Sequence, residues 1–331
     1  MGALSLSEKG VAPMTYTRRK NTVFSIVVAG LSAWAMTAHA SGDGSEVSEL
    51  RVSLSKELAL LGQQISSASC RLAAGMDAAY AEQELRTAYI TFEAIIDALE
   101  NGNQSLGVSE SEPGEEVLAT IASLRDVWEP VKSAAQGIMA GDHSDLSVIA
   151  VSNKELLAAS RQVSSKISKH YLDPKAKHQG AVQAINFAGR QPLISHTMSM
   201  NICGLATGEP AFGTTEALRE TVSLYSISLD ALNNGMDVAG IQPPPTAEIA
   251  SELADLAEDW STVAPWLETF ASGEAVSAQD VIKFAYVKDT HAQTMNNVVT
   301  LYAKEFGGAG PVYRAALDAY VKVNLALSNS D

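Results

Sequence analysis

The chain has 331 residues, 46% of them apolar and only 6% aromatic, with 38 acidic against 23 basic residues and a formal charge of −15. That acidity excludes nucleic acid and anionic membrane surfaces as partners. The length suits two domains of ordinary size. Ala, Leu, Ser and Glu dominate, and alternating runs of Val, Ile and Thr are nearly absent, which is an all-α composition.

The first forty residues read as a targeting segment. Arg18, Arg19 and Lys20 form a basic start, Val23 to Met36 is apolar, and Ala38-His39-Ala40 is a small-x-small cleavage site before Ser41. The apolar run is too short to span a bilayer comfortably. Met14 is an alternative start. Asn21 and Thr22 stand where a twin-arginine signal needs large apolar residues, so the general secretory route fits better. Cleavage after Ala40 removes four basic residues and one acid and takes the charge from −15 to −18. A periplasmic protein with no stable membrane insertion is expected.

The remainder divides into residues 41–173 and 174–306, each predicted to hold four helices. In the first they fall near 47–75, 77–101, 112–140 and 146–171. In the second they fall near 178–207, 213–237, 246–272 and 277–305. Asn101-Gly102-Asn103 and Asn233-Asn234-Gly235 stop helices. Ser111-Glu112-Pro113 and Pro243-Pro244-Pro245-Thr246 start them, with acids Glu115, Glu116 and Glu248 in the first turns. Ser277-Ala278-Gln279-Asp280 fits a capping box. Leu61 and Ile65, like Ile194, Met198 and Ile202, recur at helical spacing and predict bundle core rather than a cofactor box. Pro174 breaks any continuous helix between the halves. Residues 307–331 begin with a glycine-rich linker, and Val312 to Leu327 predict a last helix that packs back on a bundle.

The two halves are similar to each other. Residues 203–235 laid on 70–102 need no gap and give 12 identities in 33 positions, including Cys203 on Cys70, Leu218-Arg219 on Leu85-Arg86 and Asn234-Gly235 on Asn101-Gly102. The third helices match at an offset of 132, with Trp260 on Trp128 and Gly273 on Gly141. The expected fold is therefore all-α, as two tandem antiparallel four-helix bundles. No Cys-x-x-Cys-His, Glu-x-x-His, His-Glu-x-x-His, P-loop or Gly-x-Ser-x-Gly string occurs. This predicts a protein without enzymatic activity, cofactor or metal. His143, His170, His178 and His291 are scattered and read as surface residues, and the acids as solvated helix faces.

The second half opens with Ile185, Asn186, Phe187, Ala188, Gly189, Arg190 and Gln191, followed by Ser195. The string resembles the first helix of the sensor domain of type IV pilus chemotaxis transducers and the related periplasmic domain of nitrate/nitrite sensor kinases. Its pattern there is close to Ile-Asn-x-Ala-Gly-Arg-Gln-Arg-Met-Leu-Ser-Gln-Arg. The first half, Val52 to Leu58 at the aligned positions, no longer carries it. In nitrate-sensing relatives an arginine of this helix binds the anion at a two-fold dimer interface. Pro192 stands at that position here and Thr197 at the next arginine, so nitrate recognition by that route is not expected.

If the halves meet as the family's dimer does, their first helices lie together. Pro192, His196, Ser199 and Cys203 share one helix face, and Ala59, Gln63, Ser66 and Cys70 share its counterpart. Cys70 and Cys203 would then form a disulfide across the pseudo-two-fold axis or stand as two small buried thiols. His196, Gln63, Ser199 and Ser66 are the candidate ligand contacts. Arg190, on the opposite side, is expected to pair with Asp289. The resemblance implies a sensory or ligand-binding protein that takes a small molecule between its first helices and acts through a membrane transducer or kinase. The alternative is a structural or adaptor protein of the envelope that binds a protein partner and no small ligand.

Overall fold

The computed structural model describes residues 44–171 and 179–306. Residues 1–43, to which the expected targeting segment and its cleavage site belong, lie outside them, as do Pro174, His178 and residues 307–331 with the expected last helix. The described residues form eight α-helices: α1 (Gly44–Ala73), α2 (Ala78–Asn101), α3 (Glu115–Met139), α4 (Leu146–Tyr171), α5 (Gln179–Thr207), α6 (Thr215–Asn234), α7 (Ala247–Ala271) and α8 (Ala278–Glu305). They contain no strand longer than an isolated bridge, and no helix among them is long and apolar enough to cross a membrane.

The helix ends follow from local chemistry. Ser277 and Asp280 make the reciprocal capping box, and the Thr214 and Thr246 hydroxyls accept the orphan amides of Ala217 and Ile249. α2 and α6 stop at Gly102 and Gly235, both at φ 81°. A Cβ on Gly102 would lie 2.8 Å from the Glu110 backbone, so both conformation and space require glycine. After each stop the chain makes one 3-10 turn, closed by the bridges Asn103–Val108 and Met236–Ile241. Sequence periodicity does not reveal those turns.

The third helix starts later than its Ser-Glu-Pro signal suggests. Glu112 is drawn inward to Arg51 at 3.2 Å and to the Tyr171 hydroxyl at 2.8 Å, and α3 begins at Glu115. Arg51 also donates to the Leu99 and Glu110 carbonyls, tying the start of α1 to the end of α2. Arg71 to Glu84 ties the other ends, so α1 and α2 run antiparallel. Trp128 on Phe92, centroids 4.3 Å apart, fills the α1–α4 core, and Trp260 on Tyr225, also at 4.3 Å, fills the α5–α8 core. His291 belongs to that second core. It is 3% exposed beside the Tyr225 hydroxyl, because a ring between Trp260 and Tyr225 has no route to solvent; the surface reading of this histidine was wrong.

α1 and α5 join the two helix groups side by side and parallel. Lys56 meets Asn186, Gln63 meets Thr197, and Cys70 meets Cys203, all at nearly constant offset. Both helices are therefore covered by their own group and by each other. From Leu58 to Cys70 α1 carries no charged residue, and most of that stretch is buried. A helix apolar or small on every side is an interior helix.

Candidate functional site

The α1–α5 seam has three levels. At the first, Lys56 Nζ donates to Asn186 Oδ1 at 3.1 Å. Arg190 is exposed and sits near Lys56, a like charge, and does not pair with Asp289 as expected. The remaining motif residues serve the helix. Ala188 is buried, Ser195 Oγ donates to the Pro192 carbonyl at 2.9 Å, and Gln191 donates to the Phe187 carbonyl at 3.3 Å.

The middle level is a buried polar chain running Thr197–Gln63–Asn153–Ser66. Gln63 Nε2 and Ser66 Oγ both donate to Asn153 Oδ1 at 2.8 Å, and Thr197 donates to Gln63 Oε1 at 3.2 Å. Hydrogen bonds among buried polar groups of three helices rigidify the seam. Gln63 and Ser66, both buried, are thus occupied by α4 and α5.

At the third level Cys70 and Cys203 form a disulfide, and directly beside it lies a buried knot of charge. Arg71 from α1, Glu84 from α2 and Lys288 from α8 are almost fully buried. Glu84 receives both Arg71 and, at 2.7 Å, Lys288. Lys288 also reaches Asp289 at 2.8 Å, and the Tyr80 hydroxyl donates to Asp289. Tyr80 stacks on Tyr286 at 5.2 Å and covers the Arg71 guanidinium at 5.5 Å. Tyr286 donates to Asp77, the residue that precedes α2 in the left-handed region at φ 51°. His196 enters from α5, its Nδ1 3.7 Å from Glu84 Oε1.

Burial sets the charge states. Desolvation, reinforced by Lys288 and then Arg71, holds the His196 imidazole well below its usual range, so it is neutral near pH 7. Desolvation and the Arg71 charge also push the Lys288 ammonium downward. Burial lifts the Asp289 carboxyl to about 6 against the opposing pull of Arg71. Four polar atoms here have no hydrogen-bond partner among the described residues: Arg71 Nε and Nη1, His196 Nδ1 and Ser199 Oγ. Arg71 thus keeps donors, and Ser199 a hydroxyl, without a partner among the described residues.

The structure therefore separates the candidate contacts. His196 and Ser199 keep unpaired polar atoms, whereas Gln63 and Ser66 lie in the hydrogen-bonded chain above them. Arg71, Glu84 and Lys288 were missed, because charged residues on amphipathic helices read as solvated faces, and Asp289, expected to pair with Arg190, pairs with Lys288 instead. No protein-family model, curated protein or solved structure matches this chain.

Proposed function

We propose that the chain is an exported, non-enzymatic sensory or ligand-binding protein of the kind found in pilus-chemotaxis-transducer sensor domains. Its two helix groups act as a covalent pseudo-dimer, and a small polar molecule binds at the seam between the first helices. Binding biases the contact with a membrane transducer or kinase. One observation carries the reading: the charged knot beside Cys70–Cys203, built from both helix groups, keeps unpaired polar atoms on Arg71, His196 and Ser199. Leaving such buried groups unpaired is costly, which favours a ligand that completes them. The disulfide agrees with an oxidising, periplasmic location.

The test is a small-molecule screen by thermal shift on the mature chain. A hit whose stabilisation is lost in His196→Ala and kept in Gln63→Ala supports the site. A hit indifferent to His196→Ala refutes it. The adaptor reading draws on the middle level, where Gln63, Ser66, Asn153 and Thr197 already hydrogen-bond to one another. It expects no small-molecule shift at all, with direct binding to an envelope protein partner that survives His196→Ala.

A further inference from the structure

Away from the seam, the two helix groups differ between their second and third helices. α7 packs more extensively on α6 than on α8, whereas α3 packs mainly on α4 and stands apart from α2. The gap is a crevice of about 360 Å³ lined by Arg86, Tyr89, Ile90, Gln136, Met139 and Ala140. The residues at the same places in the second group explain the difference. Val222 stands for Tyr89, Ser223 for Ile90 and Ala271 for Met139. Arg219, the counterpart of Arg86, donates to the Ala271 carbonyl and holds the two helices together. In the first group the larger Tyr89 keeps the helices apart. Arg86 instead turns to Glu82 on its own helix at 2.8 Å.

The crevice has the makings of a ligand site: an apolar floor with a few convergent polar groups, at the small end of the usual volume range. Ile90 and Met139 are half-buried apolar side chains facing it, where the second group has serine and alanine. Gln136 Nε2 donates to the Tyr89 hydroxyl oxygen at 2.6 Å, so the phenol acts there as acceptor and its own hydrogen is available. Arg86 is held only by a part-exposed ion pair, 32% and 43% exposed for its two side chains, and such pairs contribute little. A carboxylate can exchange for Glu82 and take the guanidinium as well as the Tyr89 hydroxyl.

We infer that this crevice binds a small amphipathic carboxylate, with its hydrocarbon on Ile90 and Met139 and its carboxylate on Arg86 and Tyr89. The site is independent of the seam. Hexanoate, hexanol and hexylamine are suitable probes, titrated into the full mature chain by calorimetry. Hexanoate should bind, and the alcohol and amine should bind about tenfold more weakly or worse, the loss expected when a charge-assisted contact is missing. Arg86→Gln and Tyr89→Phe should each weaken hexanoate. Met139→Trp should fill the crevice and abolish binding, with helix content and thermal midpoint reporting that it still folds. His196→Ala should leave hexanoate binding unchanged, which separates failure here from failure at the seam. Absence of hexanoate binding, equal binding of hexanol, or binding that survives both Arg86→Gln and Met139→Trp would overturn the proposal.

Discussion

The two sides of the α1–α5 seam solve one packing problem in opposite ways. Around Cys70, helices of both groups meet through Arg71, Glu84, His196, Lys288 and Asp289. The positions that the internal repeat makes equivalent are Gly204, Ala217, Gln63, Leu156 and Leu157. At Gly204 the α5 backbone closes on the turn that follows it, residues 209–213. A Cβ on Gly204 would lie 2.4 Å from Gly213 N, and one on Gly213 would lie 2.3 Å from Asn201 Cα. One side is uncharged, with α5 packed tightly on its own following turn, and the other is a buried charge network joining both groups. The repeat gives the molecule two similar frames. What distinguishes them is chemistry placed on one side only, and that asymmetry is the reason to look for function at the knot.

The comparison breaks most sharply at Glu84. Glu84→Gln leaves Arg71 and Lys288 buried without their shared counter-charge and should cost about 3–5 kcal/mol in urea denaturation. Converting the knot to the residues of the other side (Arg71→Gly, Glu84→Ala, Lys288→Leu and Asp289→Leu together) should recover most of that loss, since a buried network is often replaceable by apolar packing. If the fourfold variant is as unstable as Glu84→Gln, the two sides are not interchangeable solutions. The disulfide between them closes a sequence separation of 133 residues. Changing both cysteines to serine should lower stability by about 2–4 kcal/mol. A smaller effect would mean that the knot and the hydrogen bonds of Gln63 already fix the seam without the covalent link.

Much of this was legible in the chain and some was not, for a physical reason. Helix positions followed from caps and stops, as at Ser277 and Asn234-Gly235, because those signals act within a few residues. The disulfide was approached through the equivalence of Cys70 and Cys203 together with the family resemblance, which supplied the side-by-side geometry. The knot was hidden because Lys288 lies 204 residues from Glu84, and the burial of Arg71, Glu84 and Lys288 arises only when the two groups meet. A trace of it was present. Leu58 to Cys70 in α1 and Gln191 to Thr207 in α5 are long uncharged helical stretches, and each marks a helix covered on most sides. The first charged residue after such a stretch, Arg71, is the one to suspect. Glu112 misled in the opposite sense. It looked like a helix start and is a buried partner of Arg51.

Close backbone contact on the uncharged side gives the next prediction in size. Gly204→Ala should destabilise by about 1–3 kcal/mol, because its methyl meets backbone that cannot turn aside. Gly75, whose added Cβ would meet nothing within 4 Å, is the control for space alone, though its φ of 68° carries a conformational cost of its own. Thermal midpoints of Gly204→Ala and Gly75→Ala measure the difference. Equal shifts would show that the tight approach at Gly204 yields easily.

The smallest effect concerns pH, and two groups on the charged side act with opposite sign. The folded imidazole of His196 titrates below its unfolded value near 6.5, so the unfolded chain takes up a proton first. Its contribution is present above about pH 6.5 and is lost as pH falls. The folded carboxyl of Asp289 titrates at about 6, above its unfolded value, so the folded chain takes up a proton first. Its contribution is present at acid pH and is lost as pH rises through about 6. Between about pH 4 and 6 folded and unfolded chains then hold nearly equal numbers of protons at these two sites, and their contributions to the stability profile oppose. Asp289 is 37% exposed, so solvent screens its part and His196 dominates the remainder. Asp289→Asn should therefore steepen the loss of stability below pH 6.5, by at most about 1.4 kcal/mol per pH unit. His196→Gln should reverse the slope and make mild acid stabilising. Denaturation midpoints measured from pH 4 to 7 read both slopes, and identical profiles in the two variants would mean that the knot does not titrate as its burial dictates.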